Sequence, residues 1–147
     1  MTAVLSEATV LVTGFVGCAE FSSVVLVHPV ARRLPLESRV ILEKGLLRTF
    51  GRVMPVGMTL APILTGLLAA REGGALLVAA SGVLALALVV TILGNVPINV
   101  RTGRIATNEA PDGFEAMRRR WEILQAVRGS LQILGFALVV LGVVGPA

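Results

Sequence analysis

Residues 75–96, ALLVAASGVLALALVVTILGNV, are 22 consecutive positions without an Asp, Glu, Lys or Arg. A hydrocarbon core about 30 Å thick is crossed by about 20 apolar residues in helix, each adding about 1.5 Å. Water is absent at that depth, so every backbone N–H and C=O must bond within the segment, which a helix achieves. The stretch therefore reads as a transmembrane helix, and the chain on either side repeats the pattern. Residues 52–70 form an apolar run before it, and Arg71-Glu72-Gly73-Gly74 between them reads as a tight helix-hairpin turn. Residues 8–30 form another, apolar apart from Glu20, His28 and a few small polar side chains, and closed by Pro29 and Arg32-Arg33. The last run, residues 129–144, is slightly short and is expected to borrow a turn before Gly129. The expected fold is all-α: an integral membrane four-helix bundle, a single domain over residues 1–147, with cytoplasmic helical extensions.

Two extensions are expected. Residues 36–51 mix Val40, Ile41, Leu42, Leu46 and Leu47 with charged side chains, the composition of a helix lying at headgroup level or over the bundle mouth. Asp112-Gly113-Phe114-Glu115 resembles a capping box, with Asp112 as cap and Glu115 three residues on. The helix it opens is expected to run into the fourth span. Residues 101–110 between them read as a loop. In the second span, Gly57, Ala61 and Thr65 form a small-residue stripe that reads as helix contact. Pro55 and Pro62 are expected to bend the same helix.

Composition excludes several function classes. Of the residues, 55% are hydrophobic and only 15% charged, and mean hydropathy is +0.87. A water-facing surface cannot be covered with so few charges. The net charge of +4 is not gathered into the stripe or patch of a nucleic-acid binder; the basic residues flank the apolar runs, where headgroups lie. Membrane lipids are therefore expected partners, and nucleic acid is not. Cys18 is the only cysteine, which excludes an intramolecular disulfide and a CxxC redox site and reads as packing. A transporter of this length without an internal repeat would have to be a homo-oligomer.

The distribution of Lys and Arg sets the orientation. Six lie between the first and second runs and six between the third and fourth, leaving only Arg71 of the 13 for the second connection. Positive charge is retained in the cytoplasm. The odd-numbered connections are thus expected inside, both termini outside, and the protein in the plasma (inner) membrane.

Several polar residues fall within or beside the runs. Glu20 lies near the middle of the first, where an ionised carboxylate costs at least about 2.5 kcal/mol. It reads either as a proton carrier, metal ligand or substrate anchor, or as a neutral carboxyl hydrogen-bonded to Ser or Thr on another helix. His28, the only histidine, lies about 12 Å further along and reads as a base, a ligand or an interfacial residue. A metal, if held, would fall to Glu20 and His28. Asn95 and Asn99, at i and i+4, share a helical face. Pro97 removes the amide that would bond the carbonyl of Leu93, so the third span is expected to end or break at Asn95-Val96-Pro97-Ile98-Asn99. Trp121, Gln125 and Arg128 form one stripe, which reads either as interfacial belt and snorkelling cation or as a pocket wall in which Arg128 meets Glu20 or an anionic substrate. Glu43 and Lys44 read as solvated charges, with Glu43 alternatively closing the site. Apart from Glu20, these residues converge on the cytoplasmic ends of different helices.

In order and spacing, Glu20-Phe21-Ser22-Ser23 leading to His28-Pro29, then Asn95-Val96-Pro97-Ile98-Asn99, then Trp121 with Arg128, resemble the anthrone oxygenase-like family of small four-helix membrane proteins. The resemblance implies an oxidoreductase that uses molecular oxygen as co-substrate to turn an anthrone into an anthraquinone, acting on a hydrophobic aromatic, polyketide-like small molecule. It places Asn95, Asn99, Trp121 and Arg128 around the site. The chain departs from the family pattern at Gln125, where a histidine is expected; glutamine is neither a base nor a good metal ligand, and Gln125 is grouped with the substrate-binding residues. Glu20, His28 and Arg128 are the expected catalytic residues. The alternative is a non-catalytic membrane subunit or lipid-binding bundle whose polar residues lock helices together.

The orientation is directly testable. A reporter fused after Ala147 should register outside the cytoplasm and one inserted beside Arg104 inside; the opposite pattern would contradict the charge distribution.

Overall fold

The computed structural model describes residues 2–145, and all regular structure among them is helical. There are four long helices: α1 (Ala3–Ala31), α2 (Leu36–Glu72), α3 (Ala75–Gly103) and α4 (Phe114–Val144). Each is long and apolar enough to cross a membrane, and the chain is an integral membrane protein. Met1 and Pro146-Ala147, on which the expectation for the termini and the outer limits of the 1–147 domain fall, lie outside the described residues.

The helices are antiparallel in sequence order, with α4 packed against both α1 and α3, and α2 against the other faces of α1 and α3. The α2–α3 turn is made by Gly73 and Gly74, with φ of 76° and 93°, values that glycine adopts without steric cost. At that end Ser6 Oγ donates to Glu72 Oε1 at 3.3 Å. The first and third connections lie together at the opposite end.

Element boundaries differ from the sequence expectation in three ways. The extension at residues 36–51 and the second span are one continuous helix of 37 residues, roughly 55 Å long at about 1.5 Å per residue, and so overhang the hydrocarbon core. The fourth helix starts at Phe114, not from a capping box: Gly113 is its N-cap residue with φ of 77°, and no side-chain cap bond forms. Phe114 N–H instead donates to the carbonyl of Pro111 at 3.0 Å. Third, α3 does not end at Pro97.

The way α3 passes Pro97 recurs in α1. Residues Thr91–Asn95 and Ser23–Val27 are π-helical turns. The N–H of Val96 bonds the carbonyl of Thr91, and the N–H of His28 bonds that of Ser23, each five residues back. Pro97 and Pro29 follow immediately. A proline has no N–H to offer the carbonyl four residues back and its ring collides with it. An extra residue in the turn before it accommodates both problems, and the helix continues. Such π-bulges gather at functional sites, and here both lie at the end of the bundle that holds the polar residues.

Small residues let the helices approach. A Cβ on Gly57 would lie 2.6 Å from Val16 Cγ2, and Ala61 and Thr65 on the same stripe of α2 are fully buried. On α4, a Cβ on Gly129 would lie 3.0 Å from Val24 Cγ2 and 3.2 Å from the carbonyl oxygen of Glu20. The buried hydroxyls of Thr13, Thr65, Thr91 and Thr102 each return to the carbonyl one turn back, and Thr91 alone of these also reaches a neighbouring helix, at Met58 Sδ 4.0 Å away. Large side chains such as Leu11, Phe15, Val56, Ile63, Val78 and Leu93 cover the outside, as a surface in hydrocarbon requires. Cys18 is also exposed and is not part of the packed interior expected from sequence.

Gly129→Leu should lower stability in detergent by about 1–3 kcal/mol, because backbone and a branched side chain occupy the space it needs. Gly82→Leu, at an exposed glycine with nothing within 4 Å, should stay within about 0.5 kcal/mol. Reversible unfolding of the two variants side by side checks both values.

Candidate functional site

At the end opposite Gly73-Gly74 the four helices enclose a cavity of about 450 Å³. One wall is apolar and comes from α2, including Leu47, Phe50, Met54 and Met58. The facing wall is polar and comes mainly from α1 and α4, with Glu20, His28, Arg118, Trp121, Gln125 and Arg128, and Glu43 of α2 joins it. A concave apolar site with a few convergent polar groups is the usual form of a small-molecule pocket.

The polar wall holds two clusters. In the deeper one, Glu20 Oε2 accepts from Arg128 Nη2 at 2.6 Å and from Gln125 Nε2 at 2.6 Å. Arg128 Nη2 also donates to Gln125 Oε1, so the three side chains form a closed ring of bonds. Glu20 is fully buried, and Gly129 beside Arg128 is the residue that lets α1 come close enough for the pair to form. The partners are charged and amide groups of α4, not the Ser or Thr weighed from sequence.

In the second cluster, Glu43 Oε2 accepts from Arg118 Nη2 at 2.5 Å, and Glu43 Oε1 lies 3.9 Å from His28 Nδ1. The Arg118 guanidinium carbon sits 4.1 Å from the centroid of the Trp121 ring, a cation–π contact, and the His28 ring is 4.7 Å from that of Trp121. Trp121 Nε1 donates to Asn99 Oδ1 at 2.7 Å. Further out, Glu122 bridges Arg39 at 2.7 Å and Arg32 at 2.8 Å, tying α2 and the end of α1 to α4.

The residues singled out from sequence do not all share one place. Glu20, His28, Asn99, Trp121, Gln125 and Arg128 line the cavity. Asn95 does not; it is fully buried, its Nδ2 donates to the carbonyl of Trp121 at 3.4 Å, and its Oδ1 has no partner. Glu20 and His28 belong to different clusters. Two further residues belong to the site. Arg118 belongs by sequence to the basic flank and Glu43 reads as a solvated charge or as closing the site, yet both are almost fully buried. Arg118 stands three residues before Trp121, so the stripe of Trp121, Gln125 and Arg128 already pointed one turn back to it.

Polar atoms without a hydrogen-bond partner remain here: Glu20 Oε1, Glu43 Oε1 and His28 Nδ1, with Arg118 Nε and Arg128 Nε. A metal does not fit the donor set. Both acids of the cavity are bonded to arginine, and among the described residues no three His, Cys, Asp or Glu side chains converge. A cation placed by Glu43 would meet Arg118 and Arg39.

Fold and site together define a membrane helix bundle with a partly enclosed, largely apolar small-molecule cavity and two buried acid–arginine pairs lining it. A family model described as anthrone oxygenase matches residues 45–138, well over half of the chain, and the chain belongs to that family. The matched region holds most of α2, all of α3 and most of α4; Glu20, His28 and Glu43 lie before it. No curated protein and no solved structure matches the chain.

Arg118→Met should cost about 3 kcal/mol of stability, since it removes the hydrogen-bonded partner of the buried Glu43 and leaves only the more distant Arg39 at 4.0 Å and His28 at 3.9 Å. Adding Glu43→Gln should restore most of that loss. Equal unfolding midpoints for the single and double variants would show that the two groups are not coupled.

Proposed function

We propose that the protein is a membrane oxygenase-like oxidoreductase that acts on a hydrophobic, anthrone-type aromatic molecule in the α1–α4 cavity, near the cytoplasmic leaflet. Family membership supports the reaction class. The observation that supports the location is the two-sided cavity: an apolar wall on α2 to receive a flat carbon skeleton, opposite a wall of acids, arginines and one histidine. The cytoplasmic position rests on the charge distribution, since the cavity lies at the arginine-rich end.

The chemistry expected of an anthrone is replacement of two hydrogens on one ring carbon by a carbonyl oxygen, with molecular oxygen supplying that atom and its second atom leaving in water. The protein's part is to start the reaction by taking a proton from that carbon. His28 is the proposed acceptor: Nδ1 is buried and without a hydrogen-bond partner, and Glu43 beside it steadies the cation that forms. As the C–H bond breaks, its electron pair delocalises onto the substrate's carbonyl oxygen. Arg128, held in place by Glu20 and Gln125, stabilises that oxygen. Asn99 holds Trp121 in its rotamer rather than facing substrate alone. Asn95 supports the same tryptophan from behind through its main chain.

A second reading has one observation in its favour: Glu20, Gln125 and Arg128 bond directly to one another, as residues locking two helices would. The bundle would then be a non-catalytic membrane subunit.

Two substitutions separate these readings. His28→Gln and Glu20→Gln in purified, folded protein should each lower oxygen consumption with an added anthrone by about a hundredfold or more. Circular dichroism should remain that of the parent. Full turnover by both variants, with loss of stability in Glu20→Gln, would leave the locking role as the correct one.

A further inference from the structure

The cavity is closed on some sides and open on another, and the difference lies in what joins the helices. Toward the first connection, the Glu122 bridges to Arg32 and Arg39 and the Arg118–Glu43 pair stitch α1 and α2 to α4. Between α2 and α3 there is no such stitching. Among the described residues no hydrogen bond or ion pair joins these two helices beyond Thr91. The nearest is past the end of α3, where Lys44 Nζ donates to the carbonyl of Thr107 at 3.4 Å. The packing of α2 on α3 is thinnest at the π-turn and lighter over residues 96–103 than over 75–90. The cavity residues on this side are Gly51 and Pro55 of α2, facing Val96, Val100 and Gly103 of α3, and all five are exposed while lining the cavity.

We infer that this gap is a lateral portal through which an uncharged, amphipathic aromatic molecule passes directly between the bilayer and the cavity. Its rim is made of two glycines, a proline and two valines, and the neighbouring Val56 and Leu93 are among the exposed large apolar residues of the surface. The exposed Arg52, Arg101 and Arg104 next to it place the rim at the level where headgroups meet hydrocarbon. Pro55 lies roughly 26 Å along α2 from Glu72, so a core of about 30 Å starting at the polar Arg71-Glu72 turn ends close to the rim. That is the depth at which ring systems with polar substituents collect. The glycines matter because they leave the gap empty: a Cβ on Gly103 would meet nothing within 4 Å, and one on Gly51 only Leu47 Cβ of its own helix at 4.0 Å. The inference rests on the reading that the cavity holds such a molecule.

Trp121 is the only tryptophan of the chain and lines the cavity, so its fluorescence reports occupancy at contact range. The protein in phosphatidylcholine vesicles is mixed with vesicles preloaded with a bromonaphthol, a contact quencher that partitions into lipid. In the parent protein Trp121 should be quenched. In Gly51→Phe and Gly103→Phe, both entry and exit should slow by about tenfold or more, with the final quenching unchanged. Gly51→Val and Gly103→Val give a smaller slowing and guard against a variant that does not fold. Gly82→Phe, exposed and away from the rim, should behave as the parent. Quenching that is as fast in the portal variants as in the parent, but faster after Arg39→Ala, would overturn the portal and place entry at the ion-paired end. No quenching in the parent would instead sink the reading of the cavity itself, and the portal with it.

Discussion

A carboxylate at the centre of a membrane helix and a guanidinium on its neighbour have few other ways to be accommodated, and Glu20 and Arg128 are 2.6 Å apart. Each alone would carry a penalty of a few kcal/mol at bilayer depth. Together they still require the rest of their polar atoms to be met, which is why Gln125 donates to one and accepts from the other. The pair also dictates backbone spacing. Arg128 reaches Glu20 because the next residue is Gly129, where any side chain would press on the Glu20 carbonyl. A close approach of α1 to α4 and a buried ion pair thus fall at the same place in the bundle.

From that contact the rest of the site follows. With α1 drawn onto α4, the face of α4 two and three turns earlier, Trp121 and Arg118, looks along the same seam toward His28 and Glu43. The π-turns before Pro29 and Pro97 let α1 and α3 continue past prolines that would otherwise end them. Asn99, two residues past Pro97, is thereby carried forward on helix to reach the Trp121 ring nitrogen. The α2 wall has no comparable polar partner in the deep part of the cavity and stays apolar.

The spans, their number and the hairpin at Gly73-Gly74 were legible in the sequence, because bilayer thickness and backbone hydrogen bonding leave one solution for each long apolar run. Glu20, Gln125 and Arg128 were also legible as candidates, being costly where they stand. The rest was not, for identifiable reasons. Asp112 followed by Glu115 has the spacing of a cap, but Gly113 in the left-handed region offers a turn from Pro111 that starts the helix without one. Pro97 reads as a terminus unless a π-turn precedes it, and nothing in Thr91-Ile92-Leu93-Gly94-Asn95 announces that turn. Glu43 and Arg118 are 75 residues apart in segments of ordinary amphipathic composition. Their pairing depends on how far α2 and α4 overhang the core, a tertiary register that local composition does not encode. The exception was the stripe on α4, whose spacing extends back to Arg118.

The charge of the cavity wall bears on what it can bind. Glu20 with Arg128 and Glu43 with Arg118 cancel, and among the described residues lining the cavity His28 is the one further group that can take up charge. A permanently anionic ligand would have to compete with a carboxylate already at bonding distance from each arginine, at depth where separated charges are expensive. A neutral molecule displaces nothing. If its charge appears only when a proton leaves it, the arginines are already oriented and desolvated at that moment, and their attraction is gained in the transition state rather than spent on the ground state. Under the oxygenase reading, the acids are therefore not idle counter-ions. They hold the guanidinium groups at fixed positions and keep the resting site close to neutral, so a carbon acid with an apolar skeleton can enter it uncharged and become an enolate only inside.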